Sequence, residues 1–156
     1  MKRWFCWWIL LCLLPVCASA DRLVRLPNSR YTIDVPEYMR RSEPGPGDAG
    51  VFAFSCEMME INYSTYSKQE ALDSGMPENL LDAAKDRAAR GAETELRSVN
   101  GIEMLCFRTV DEADGAPCIG YVFEDGEWLV EVDFWYANDE AARLAGKVIS
   151  SIREAE

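Results

Sequence analysis

Two acidic side chains are the first candidates for chemistry. Glu131 and Asp133 alternate along the segment from Trp128 to Tyr136, so a strand there points both to one side, roughly 7 Å apart. Carboxylates at that order of separation can work as an acid and base pair for hydrolysis. The same side carries Leu129 and Trp135. A tryptophan among acids can anchor a partner with basic rim residues, so Leu129, Glu131, Asp133 and Trp135 form the candidate binding face.

Other constellations lack a necessary part. Asp111, Glu112 and Asp114 precede Gly115 and suggest a calcium loop. With Gly115 as the sixth residue of an EF-hand loop, Val110 stands first, and neither Ile119 nor Tyr121 is the required glutamate. A solvated acidic hairpin loop is expected instead. The 156 residues include no histidine, which removes the commonest general base and the commonest metal ligand together. No two cysteines have Cys-x-x-Cys spacing, so no metal or other cofactor is expected. There is no Gly-x-Ser-x-Gly motif and no glycine-rich phosphate loop ahead of a helix. Asn62-Tyr63-Ser64 has the glycosylation pattern but falls in an expected strand. Tyr63, Tyr66, Tyr121 and Tyr136 suit cross-strand pairs better than a pocket.

Composition narrows the partners. A hydrophobic fraction of 49% and a charged fraction of 28% are those of a globular domain. The formal net charge is -11, with 27 acidic against 16 basic residues. Lys2 and Arg3 fall within the first twenty residues, so the remainder is more acidic still. Such a chain repels nucleic acid phosphates and anionic membrane surfaces.

The opening residues read as an export signal. Met1-Lys2-Arg3 is followed by an apolar run from Trp4 to Val16 and by small residues at Ala18 and Ala20, which predicts cleavage before Asp21. The run is too short to span a bilayer, so no stable span is expected after cleavage. Cys17 is a lipid-attachment candidate, but the β-branched Val16 before it fits that signal poorly. Residues 21-156 are expected to form one domain, secreted, periplasmic or held at the cell envelope. Beyond the signal the chain keeps Cys56, Cys106 and Cys118. In an oxidising compartment three cysteines allow one disulfide with a free thiol, an intermolecular pair, or three reduced buried thiols. Within the first, a bond from Cys56 to either Cys106 or Cys118 is preferred, because a hairpin register pairing 106 with 122 holds those two apart.

Periodicity supplies the elements. Arg30 to Val35 alternates and stops at Pro36, and the proline- and glycine-rich stretch from Arg40 to Asp48 is expected to be a loop. Val51 to Cys56 and Met58 to Tyr66 read as strands, and Pro77 to Arg90 as a helix ended by Gly91. Two hairpins follow, turning at Asn100-Gly101 and Asp125-Gly126. The spacing of Ala141, Leu144, Ala145, Val148, Ile149 and Ile152 predicts a closing helix capped by Asn138. The fold class is α+β: a mainly antiparallel sheet packed against one helix from the N-terminal half and one at the C-terminus.

Four stretches carry a family resemblance: YTIDVPEYM from Tyr31 to Met39, VNGI from Val99 to Ile102, YVFEDGEWLVEVDF from Tyr121 to Phe134, and ISSI from Ile149 to Ile152. Together they resemble the PsbP-like fold, shared by the extrinsic PsbP subunit of photosystem II, a Ran-binding nuclear import factor and many small exported bacterial proteins. The resemblance implies an antiparallel sheet with helices on its faces, and a non-enzymatic module that docks on a larger partner. No photosystem-attachment or Ran-binding motif accompanies it. The expected function is an exported acidic binding module for an extracytoplasmic protein or small ligand. The alternatives are a small hydrolase or calcium-dependent protein using surface carboxylates, and a structural envelope protein joined by an intermolecular disulfide.

Overall fold

The computed structural model describes residues 21-42, 52-111, 113 and 115-156. The export signal with Cys17, most of the expected loop after Ser42, and Glu112 and Asp114 lie outside the described residues. The elements run β1 (Asp21–Arg25), β2 (Tyr31–Pro36), β3 (Arg40–Ser42), β4 (Phe52–Ser55), β5 (Met59–Ser67), α1 (Lys68–Ser74), α2 (Leu80–Ala89), β6 (Glu93–Val99), β7 (Ile102–Val110), β8 (Pro117–Asp125), β9 (Trp128–Tyr136), α3 (Asp139–Ser150) and β10 (Arg153–Glu154). They form the expected α+β arrangement.

Seven strands pair in the order β3-β4-β5-β9-β8-β7-β6, and three more pair as β1-β2-β10. Among the described residues every pairing is antiparallel. One face of the large sheet contributes Ile61, Tyr63, Met104, Tyr121, Phe123, Val130, Val132 and Phe134 to the main core. The small sheet adds Ile33 and Val35, and α3 adds Ala141, Ala145, Val148 and Ile149. The opposite face carries a smaller cluster of Leu105, Phe107, Val122 and Leu129, covered by Ala83, Leu80 and Ala84 of α2. β7 is therefore buried on both faces, as its unbroken apolar run requires.

Local chemistry explains the boundaries. Asn138 and Asn79 accept from the amides of Ala141 and Asp82, both at 3.0 Å, and so cap α3 and α2. The Asn79 cap starts α2 at Leu80, so Pro77 lies outside the helix it was expected to begin. Helix α1 was not expected, although Ser67 and Glu70 form a reciprocal capping box at its start. Asn100 and Gly101 take positive φ values of 51° and 82°, the pair a two-residue hairpin turn needs.

Three expectations require correction. Arg40–Ser42 is a strand at the sheet edge, paired with β4, and not part of a loop. The β7-β8 hairpin pairs Cys106 with Tyr121 and Thr109 with Cys118, one residue from the expected register. A one-residue slip turns every side chain of one strand over. Cys106 and Cys118 consequently face opposite sides of the sheet, and Cys56, Cys106 and Cys118 are free thiols, the reduced alternative and not the preferred bond from Cys56.

Candidate functional site

β9 lies between β5 and β8, and its register sets the neighbours of each candidate residue. Leu129 pairs with Tyr66 and Glu124, Glu131 with Ser64 and Val122, Asp133 with Asn62 and Gly120, and Trp135 with Glu60 and Cys118. Directly paired residues share a face. The four candidates therefore lie in one row on the face that α2 partly covers.

Their environments differ sharply. Leu129 is 0% exposed and belongs to the small core beneath α2, so it cannot meet a partner and leaves the candidate binding face. Glu131 is 8% exposed and accepts a hydrogen bond from Nη2 of Arg87, which α2 aims at it. The Arg87 guanidinium also lies 4.5 Å from the centroid of the Phe107 ring. This stacking fixes the cation that neutralises Glu131.

Asp133 is enclosed between Glu131 and Gly120. Burial, then the negative charge of Glu131, pushes its carboxyl up to about 8, against the pull of Arg87. A hydrogen bond to Glu131 favours the protonated form. Its Oδ1 atom is buried and has no hydrogen-bond partner among the described residues. A Cβ added at Gly120 would collide with the Phe107 ring and with this oxygen. The same enclosure pushes Tyr66 up to about 12, through burial and then Glu131, and Cys118 up to about 12, through burial and then Asp133.

A carboxyl raised this far has the proton affinity of a general acid. Asp133 is half-buried, with its Oδ1 atom inaccessible. A groove of about 250 Å³ between α2 and the sheet, lined by Tyr66, Met76, Pro77, Arg87, Arg90 and Glu131, reaches Glu131 but not Asp133. Glu131 is already engaged by Arg87. The two carboxyls and the Arg87 guanidinium form one polar cluster, in which Arg87 bonds to Glu131 and Asp133 is raised by burial and by its neighbour's charge.

Trp135, one register step beyond, is half-buried. It lines a shallow depression of about 240 Å³ with Met58, Tyr136 and Ala116, beside the exposed acids Glu57 and Glu60. Alternation along β9 revealed Trp135, but the contribution of Glu57 and Glu60 depends on the β5-β9 pairing and was missed. Gly120 and Arg87 were also missed. An internal strand glycine is the one signal that pointed to the first, since it often marks close approach of a neighbour. In the acidic loop, Asp111 Oδ1 accepts from the amide of Ala113 at 2.7 Å, the bond expected of a closed turn.

A seven-stranded antiparallel sheet with α2 on one face, and with α3 and a small sheet on the other, defines a PsbP-like fold. The chain is similar to the solution structure of cyanobacterial PsbP (CyanoP) from Synechocystis sp. PCC 6803, with 14% identity and a TM-score of 0.61 over 90% of this chain and 96% of that one. It is also similar to a crystal structure from Bacteroides thetaiotaomicron VPI-5482, with 13% identity and a TM-score of 0.55 over 88% of this chain and 49% of that one. No protein-family model matches the sequence, and no curated protein does. Among the described residues no helix is long and apolar enough to cross a membrane.

Proposed function

We propose that the chain is an exported, non-catalytic module that docks on a protein outside the cytoplasm, with Trp135 as its apolar anchor. The depression at Trp135 carries this reading: Met58 and Tyr136 extend the apolar floor, and Glu57 and Glu60 form an acidic rim. A partner that covers the indole and brings lysine or arginine to the rim would complement it in polarity and charge. The PsbP-like fold supports the reading, since that resemblance implies modules that dock on larger assemblies. So does the acidic excess, which disfavours nucleic acid and anionic membranes as the bound surface. The signal-like residues before Asp21 supply the route of export.

The test is retention of partners from the host's extracytoplasmic fraction on the tagged protein, washed at increasing salt. The expected result is one enriched protein, released by salt and lost from Trp135→Ala, whose thermal midpoint stays near that of the parent. An anchor of this kind contributes roughly 2 kcal/mol or more, about thirtyfold in affinity. Capture unchanged by Trp135→Ala would remove the anchor, and no capture would turn the search to a small ligand.

The hydrolase alternative has one observation in its favour, the raised carboxyl of Asp133. Turnover of a panel substrate that disappears in Asp133→Asn would establish it over docking.

A further inference from the structure

β6 is an edge strand, and no other described strand pairs with its outer side. Its seven residues, ETELRSV, are mostly exposed, and Leu96 is 52% exposed. Long exposed edges ordinarily invite another strand, and charges usually blunt them. The charges of β6 are arranged differently. Read outward from Leu96, the strand places Glu95 and Arg97 on either side, then Thr94 and Ser98. An antiparallel copy centred on Leu96 therefore sets Glu95 opposite Arg97 twice, Thr94 opposite Ser98 twice, and Leu96 opposite itself.

The backbone agrees with that register. The two-residue turn at Asn100-Gly101 makes Val99 and Ile102 a hydrogen-bonded pair, and such pairs alternate along an antiparallel ladder. Arg97 and Glu95 thus spend their amides and carbonyls on β7. Those of Thr94, Leu96 and Ser98 point to the open edge, where a two-fold related β6 presents the same three residues in reverse order. We propose that the chain self-associates through β6, as an antiparallel pair about Leu96 that joins two large sheets into one.

The other edges fit a second copy less well. β3 has three residues, and pairing about its centre would set Arg41 against Arg41. β1 is balanced about Leu23 but has only five residues, and its Asp21 lies 3.8 Å from Lys147 of α3. In β6 the Arg97 guanidinium lies 2.7 Å from Glu95 of the same strand. Each charge keeps an opposite neighbour when the second strand arrives.

Sedimentation velocity over a concentration series of the purified protein tests the proposal. A monomer-dimer equilibrium is expected. Leu96→Pro removes an outward amide and no bond of the β6-β7 ladder, so it should keep the fold and abolish the dimer. Glu95→Arg should weaken the dimer about tenfold, by setting like charges opposite one another twice. The double variant Glu95→Arg with Arg97→Glu should recover the parent's dissociation constant. A monomer up to millimolar concentration would overturn the proposal. So would a dimer indifferent to Leu96→Pro, one lost only in Leu23→Pro, or failure of the double variant to recover.

Discussion

Gly120 on β8 and Asp133 on β9 are direct register partners, and the side chain absent from Gly120 makes room for the Asp133 carboxyl and the Phe107 ring. The backbone of Gly120 needs no left-handed conformation, so space alone explains the residue. Gly120→Ala forces a methyl against both neighbours. It is expected to destabilise the fold by about 3 kcal/mol, at the upper end for overpacking, because Phe107 is held by α2 and cannot swing aside. Urea denaturation measures the loss. A near-neutral result would mean that the Phe107 ring has somewhere else to go.

Arg87 carries the next prediction. It closes the α2 side of the cluster by pairing with Glu131 and stacking on Phe107. Arg87→Ala leaves a nearly buried carboxylate without its cation and strips the ring face, with an expected cost of about 2-3 kcal/mol. Adding Glu131→Gln to that variant should return part of the loss, because the stranded charge is gone. A double-mutant cycle by chemical denaturation reads the interaction directly.

The elements that sequence made legible are those whose burial is one-sided and periodic. The face of β9 formed by Val130, Val132 and Phe134 is buried, and α3 buries Ala141, Ala145, Val148 and Ile149 as its spacing predicted. β1, β3 and β10 escaped because their residues are largely exposed and held by backbone pairing, which leaves no hydrophobic pattern. The candidate face was legible only as a list. Leu129, Glu131, Asp133 and Trp135 do share one side, yet what separates a core residue from a cluster and an anchor is the position of α2. That position rests on long-range contacts with Leu105, Phe107 and Val122. The side of the sheet that Cys118 takes was misread for a sharper reason, since it depends on a hairpin register that one residue in the loop reverses.

The thiols themselves allow a chemical check. Burial pushes the Cys106 and Cys118 thiols up, the latter to about 12, and both side chains are inaccessible. Cys56 is only partly buried and borders the Trp135 depression. Iodoacetamide applied to the native protein should modify Cys56 first, with Cys106 and Cys118 reacting only on unfolding. Mass spectrometry of peptides from a timed reaction reads the order. Equal rates would show that the sheet opens far more readily than its packing indicates.

The Glu131-Asp133 pair also gives stability a pH dependence of definite sign. In the unfolded chain an aspartate titrates near pH 4, whereas the folded Asp133 holds its proton to about 8. The folded state therefore binds more protons across that window, and the contribution of Asp133 falls as pH rises from about 4 to about 8. Asp34 works in the opposite direction at the acid end, because its hydrogen bonds with Arg153 hold its carboxyl below the usual range. The raw stability curve mixes the two, and a difference between variants separates them. Asp133→Asn keeps a donor for Glu131 and removes the titrating proton. Its stability relative to the parent should rise steadily between the two limits, by up to about 1.4 kcal/mol per pH unit, because the parent must hold a proton that its unfolded chain has released. Thermal denaturation of both proteins across that range would reveal the trend. A constant difference would mean that Asp133 is ionised throughout, with its charge met by solvent that the enclosure at Gly120 fails to keep out.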